Sequence, residues 1–361
     1  MLQRNKNTLR TGDRPPRFAR AQTWIYGITT HQAFLYAIRR SFGRAWPWAV
    51  CFPLCCCLAA CRKETLDLRV FQAQSIPVSQ DVMAIWFADS ARGLAAGGRV
   101  WESGFILSTE DGGLHWRTDT LLPNRVEALV GSDGGMAYAC GMDGRALARL
   151  PGRKAWEIFR TDYRWMRGAA FVGAQRGLIV AGEGYRAGQA FVFGPDVFWR
   201  LDTVQDFPNE LAAVCFSDSL TAHAVGIGWV MRSEDAGRHW ERLDVTGDFF
   251  RDVQFTSPDT GYICGSNGAL LKTTDGGRHW DFLRKPGVGL GQPAFHALFF
   301  TDNNRGYAVG DRGLFWKTEN GGADWQVVRD IPDHIDFTDI HAFDGKGWLS
   351  AREGQIYYFE E

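Results

Sequence analysis

No part of this 361-residue chain sustains the 3.6-residue apolar period of an amphipathic helix, which excludes helical bundles and alternating βα folds. Beyond residue 61 there are only three cysteines, Cys140, Cys215 and Cys264, with no Cys-x-x-Cys and no paired spacing. A disulfide framework and a thiolate metal site are therefore not expected. The three read as small buried apolar residues. Positive charge is also scarce where it would matter. Residues 1–61 hold nine Lys/Arg against Asp13 alone, leaving 31 basic and 40 acidic residues in the rest of the chain. A body of net charge −9 is a poor partner for phosphate backbones, so no nucleic acid is expected. No nucleotide or quinone motif is present, and no cofactor is expected.

What the chain does have is glycine, tryptophan and repetition. Thr273 to Trp280 reads TTDGGRHW, and the same phrase recurs as TEDGGLHW (Thr109–Trp116), SEDAGRHW (Ser233–Trp240) and TENGGADW (Thr318–Trp325). The shared skeleton is Ser/Thr-x-Asp-x-Gly-x-x-Trp, with Asn320 in place of the acid in the last copy. Asp111, Asp235, Asp275 and Asn320 are expected to hydrogen-bond backbone N–H groups of their own turns. Gly113, Gly237, Gly277 and Gly322 are expected to supply positive φ. Trp116, Trp240, Trp280 and Trp325 can fold back as apolar lids. The role is structural. His115, His239 and His279 precede these tryptophans without a second ligand nearby in sequence, so no metal site is expected.

The tryptophans set a period. Trp116, Trp156, Trp199, Trp240, Trp280 and Trp325 are spaced by 40, 43, 41, 40 and 45 residues, the range of propellers and related arrays. Trp156 and Trp199 keep the phase but have lost the acid and the turn glycine. First strands are expected at Val82–Phe87, Val126–Val130, Gly168–Phe171, Leu211–Phe216, Asp252–Phe255, His296–Phe300 and Asp339–Phe343. The seventh unit ends after three strands, and Leu68–Gln74 is a strand without a unit. The expected fold is all-β, a seven-bladed β-propeller of four-stranded antiparallel blades. The N-terminal strand would complete the last blade, because closure leaves only short protected edges.

The chain ahead of the propeller has a different character. Arg39, Arg40 and Arg44 precede the apolar tract Ala45–Ala60, which is short for a membrane span. Its ending, Leu58-Ala59-Ala60-Cys61, resembles the lipobox of bacterial lipoproteins. That resemblance implies lipidation at Cys61 and a body secreted across the inner membrane, facing the periplasm or the cell surface. The expected organisation is an extension over 1–38, a lipoprotein signal over 39–61, and a tethered propeller over 62–361.

The repeated Asp-box, the preceding strands Gly261–Gly265 and Gly306–Gly310, and the seven units resemble the photosystem II assembly and stability factor family, whose relatives include many Asp-box (BNR-repeat) lipoproteins. The resemblance covers residues 80–360. It implies a non-enzymatic scaffold or assembly factor for a membrane complex, with arginines on its binding face. Fold alone does not give function. Aligning first strands on their closing Phe puts Arg167, Arg251, His296 and Asp339 at one equivalent position, with Trp165 and Phe250 beside them. Mixed charge ringed by aromatics fits a protein-binding face. Asp-box propellers also include sialidases, so the rival reading is a sialidase-like hydrolase or a glycan-binding propeller. No Phe/Tyr-Arg-Ile-Pro motif of the sialidase kind is present, and no catalytic residue is assigned.

Overall fold

A computed structural model describes residues 70–361, apart from 133, 161–163, 175, 185, 195–201, 246, 288–291, 330 and 344. Cys61, the signal tract, Trp199 and the middle of the loop after Arg284 lie outside the described residues. The described residues form seven four-stranded antiparallel sheets. Blades 1 to 6 each use four consecutive strands, with inner strands Val82–Phe87, Val126–Gly131, Met166–Val172, Leu211–Phe216, Phe250–Phe255 and Phe295–Phe300. Blade 7 takes Phe337–Phe343, Lys346–Ala351 and Gln355–Glu360 from the C-terminal end, and Val70–Gln74 as its outer strand. Val70 pairs with Glu360 and Gln74 with Ile356. The N-terminal strand thus completes the last blade.

The ring holds because each blade buries aromatic surface against the next. His223 of blade 4 stacks on Phe255 of blade 5 with centroids 4.1 Å apart, and Tyr262 of blade 5 stacks on Phe300 of blade 6 at 3.7 Å. At the seam, Trp348 of blade 7 stacks on Phe87 of blade 1 at 3.8 Å. The same device therefore crosses the join between the chain ends. The Trp348 indole also donates to the Gly112 carbonyl at 2.8 Å, and Gln74 accepts from the Trp116 indole at 3.1 Å.

The Asp-boxes behave as hydrogen-bonded staples. Thr273 Oγ1 donates to Asp275 and accepts the Gly277 N–H at 3.0 Å, while Asp275 Oδ1 accepts the N–H groups of Arg278 and His279. The His279 ring lies 2.6 Å from Asp275 Oδ2, which explains the histidine without a metal. Trp280 folds back to donate to the Gly277 carbonyl at 3.1 Å. It also wedges edge-on against Phe255 and His223, so it serves the junction as well as its own turn. Gly277 has φ +77, and a Cβ there would come within 2.3 Å of the His223 ring in the preceding blade. Two demands, conformation and close approach, fall on one residue. Cys140 and Cys264 are buried in second strands, and all three described cysteines are free.

Candidate binding face at the channel mouth

Every inner strand carries a β-bulge one residue after its start, at Met83, Glu127, Arg167, Ala212, Arg251, His296 and Thr338. A bulge leaves its extra residue out of the ladder and re-aims the side chain. These seven residues line one central cavity of about 170 Å³, together with their neighbours on the inner strands. This volume is below the ~300–1,000 Å³ of pockets that enclose small molecules. Ligands that use it would rest on the mouth.

The bulges correct the sequence register in one place. Arg167, Arg251 and His296 are equivalent, as expected, but their counterpart in blade 7 is Thr338, not Asp339. Aligning on Phe343 misplaced the strand by one residue, because blade 7 carries Ala342, and blade 2 Gly131, where the other five blades carry the closing Phe. Asp339 is instead equivalent to Asp252, and the two carboxyls do the same job. Asp339 accepts the N–H of Ile85 in blade 1 at 2.9 Å, and Asp252 accepts that of Leu298 in blade 6 at 2.9 Å. Enclosure by the ring of strands pushes Asp252 up to about 6 and Asp339 up to about 7, against the pull of those N–H bonds. The Asp252 charge adds to the rise at Asp339. Both side chains are half-buried and face the channel.

A second ring lies two residues upstream of the bulges, at Asp81, Arg125, Trp165, Glu210, Phe249, Ala294 and Asp336. Each of their carbonyls accepts a backbone N–H from the end of the second strand of the same blade or from the hairpin that follows it, at 2.9–3.2 Å. The backbone is a repeated lattice on which only side chains vary. Where the inner ring holds arginine, the outer ring holds an aromatic. The Arg167 guanidinium lies 3.7 Å from the Trp165 ring centroid, and that of Arg251 lies 4.1 Å from Phe249. Arg125 approaches Trp165 at 5.8 Å and pairs with Glu127 at 2.7 Å. Glu127 also accepts from the Trp165 indole at 2.9 Å. Arg167 pairs with the buried Glu210 at 2.9 Å, and His296 with Asp311 at 2.6 Å.

Phe250 does not belong to this face. It is fully buried with Val225, Val253 and Ile263, and its neighbour Phe249 takes the position at the mouth. Strand alternation gives the reason, since one residue along a strand reverses the direction of the side chain. Sequence reasoning also passed over Arg125, Glu127, Glu210 and Asp252 as site residues. The signal that finds them is the fixed offset from the bulge, which appears in sequence only once the seven strands are aligned at their starts.

Set beside known proteins, the chain is similar to the Ycf48 assembly factors. A model of the photosynthesis system II assembly factor YCF48 matches residues 231–329. A curated relative, the photosystem II assembly lipoprotein Ycf48 of Trichormus variabilis, is 27% identical over 222 residues, 55% of this chain and 60% of its own length. Among solved structures, YCF48 from Cyanidioschyzon merolae superposes with a TM-score of 0.63 at 14% identity, covering 80% of this chain and 98% of its own. A YCF48 bound to D1 peptide gives 0.65 at 18% identity, over 82% and 97%. These structures show the fold. The chain is an Asp-box, seven-bladed propeller that resembles the photosystem II assembly factor family.

Proposed function

We propose that the protein is a non-enzymatic docking scaffold that holds a protein partner on its channel mouth and serves in the assembly of a membrane complex. The observation that carries this is the pairing of Arg167 with Trp165 and Arg251 with Phe249 around a channel mouth too narrow to swallow a ligand. Guanidinium groups held over aromatic faces place planar cations at the mouth. They suit carboxylates and carbonyls of a peptide. The resemblance to the assembly factors supports the same reading, since one solved relative is described as bound to D1 peptide. Lipidation at Cys61 would tether the propeller to an envelope membrane, in keeping with the lipoprotein named in the curated relative. Protein would then be the partner and the membrane the place.

The glycosidase alternative requires arginines converging beside a carboxylate and a tyrosine. The central cavity offers Arg167, Arg251, Asp252 and Asp339, and no tyrosine lines it among the described residues. The test is a pull-down from detergent-solubilised envelope, with wild type beside Arg167→Glu and Arg251→Glu. A specific membrane-protein partner captured by wild type and lost from both variants is expected. Turnover of a fluorogenic sialoside that disappears in Asp339→Asn would instead establish the hydrolase.

A further inference from the structure

Charge on the mouth face is divided between two opposite arcs, and this deepens the docking reading above, on which it rests. Over blades 2 and 3 the hairpins and connections carry six arginines, among them Arg125, Arg145 and Arg167. Among the described residues they stand against Glu127, Asp143, Glu183 and Glu210, and Asp143 is shared by Arg145 and Arg160. In a ring of seven, the point facing the 2/3 boundary is blade 6. On that side, from Asp311 through blade 7 to Asp81, the connections and hairpins carry five described carboxylates (Asp311, Asp333, Asp336, Glu353 and Asp81) against Arg312, Arg329 and Arg352. There Asp81 and Asp336 share Arg352, each at 3.9 Å. Asp333 and Glu353 are exposed, and no ion pair of theirs occurs among the described residues. The two arcs are carried on the same backbone lattice, so their difference lies in side chains alone.

We infer that the occupant of this face is an extended, charge-segregated peptide segment that crosses the channel mouth, with its carboxylates over blades 2 and 3 and its lysines or arginines over blades 6 and 7. Complementary arcs fix direction, because the reversed segment meets like charge at both ends. An extended segment is favoured over a compact domain because the arcs lie on opposite sides of one mouth. The attraction of separated charges is screened by salt, so the preference should be steepest at low ionic strength.

The experiment uses the full-length protein and three fluorescent synthetic peptides, read by anisotropy. One has a glutamate block and a lysine block joined by a Gly/Ser spacer. The second has the same composition with alternating charges, and the third carries glutamate at both ends. The blocked peptide is expected to bind about tenfold more tightly than the other two at low salt. Glu353→Lys and Asp333→Lys should erase that advantage, with circular dichroism confirming that each variant folds. Arg167→Glu should weaken the blocked peptide and the peptide with glutamate at both ends alike. Equal binding of blocked and alternating peptides, or acid-arc variants that bind the blocked peptide unchanged, overturns the inference. Loss on Arg167→Glu with no effect of the acid-arc variants would overturn it while leaving the docking face itself intact.

Discussion

Asp339 and Asp252 are carboxyls whose surroundings disfavour the charge they carry at neutral pH. Both are raised above the ordinary value of 3.8, to about 7 and about 6. A raised carboxyl pKa means that the folded state holds the proton more tightly than the unfolded state. Stability from these groups is therefore present below about pH 4 and declines as pH rises through 6 and 7. Asp339→Asn imitates the protonated form and keeps one oxygen for the Ile85 N–H. We predict that the variant is more stable than wild type at pH 8, and no more stable at pH 4. The difference should be on the order of 1–2 kcal/mol once channel water is allowed for. Urea titrations at the two pH values measure it, and parallel pH profiles for wild type and variant would refute the assignment. Arg167 belongs to the same scale. Because its guanidinium lies over the Trp165 ring, a lysine there keeps the charge but loses the planar group, so Arg167→Lys should weaken partner capture nearly as much as Arg167→Ala.

At the scale of the element, the Asp-box is a local device with a non-local duty. The Thr273 hydroxyl holds both Asp275 and the Gly277 N–H, and Gly277 in turn seats on His223 of the neighbouring blade. Thr273→Val should cost about 1–2 kcal/mol, because it leaves a buried N–H without its acceptor. The chemical denaturation midpoint should fall without a change in m-value. Acid tests the same staple. Partial burial alone would raise Asp275, but the His279 N–H, the His279 ring and the Thr273 hydroxyl together lower it to about 2. The stabilisation it gives is thus present above pH 4 and lost as pH falls towards 2. This element was legible in sequence because it is contiguous: Thr, Asp, Gly and Trp fall within eight residues, and their spacing carries the turn chemistry. The mouth was legible only in part. Arg167, Arg251 and His296 shared a visible offset, whereas Thr338 was hidden because Ala342 replaced the Phe used for alignment. Phe249 and Phe250 look alike in sequence, and a bulge at the next residue decides which of them is buried. Pairing across blades, as between Arg167 and Glu210, has no local spacing to betray it.

For the whole molecule, the decisive feature is that the ring is joined by five residues from one end of the propeller chain. Val70–Gln74 covers the edge of Gln355–Glu360, stacks Phe71 on Tyr357 at 4.8 Å, and places Gln74 between the Gly112 carbonyl and the Trp116 indole of blade 1. Other seam contacts are independent of this strand, notably Trp348 on Phe87 and Asp339 on Ile85. Removing the strand should therefore loosen the seam without unfolding the other blades. A chain beginning at Val70 should melt like the full chain, whereas one beginning at Ser75 should melt at least ~5–10 °C lower, as the loss of a few kcal/mol implies for a domain of this size. It should also self-associate, since the bared strand Gln355–Glu360 is a pairing template. Repeat arrays distribute stability among neighbouring units, so a break at one junction spreads as broadening of the transition before it appears as complete loss of structure. Calorimetry with light scattering on the two truncations separates these outcomes. If both truncations melt alike and stay monomeric, the tryptophan and carboxylate contacts hold the circle shut by themselves, and the N-terminal strand is only an edge cover.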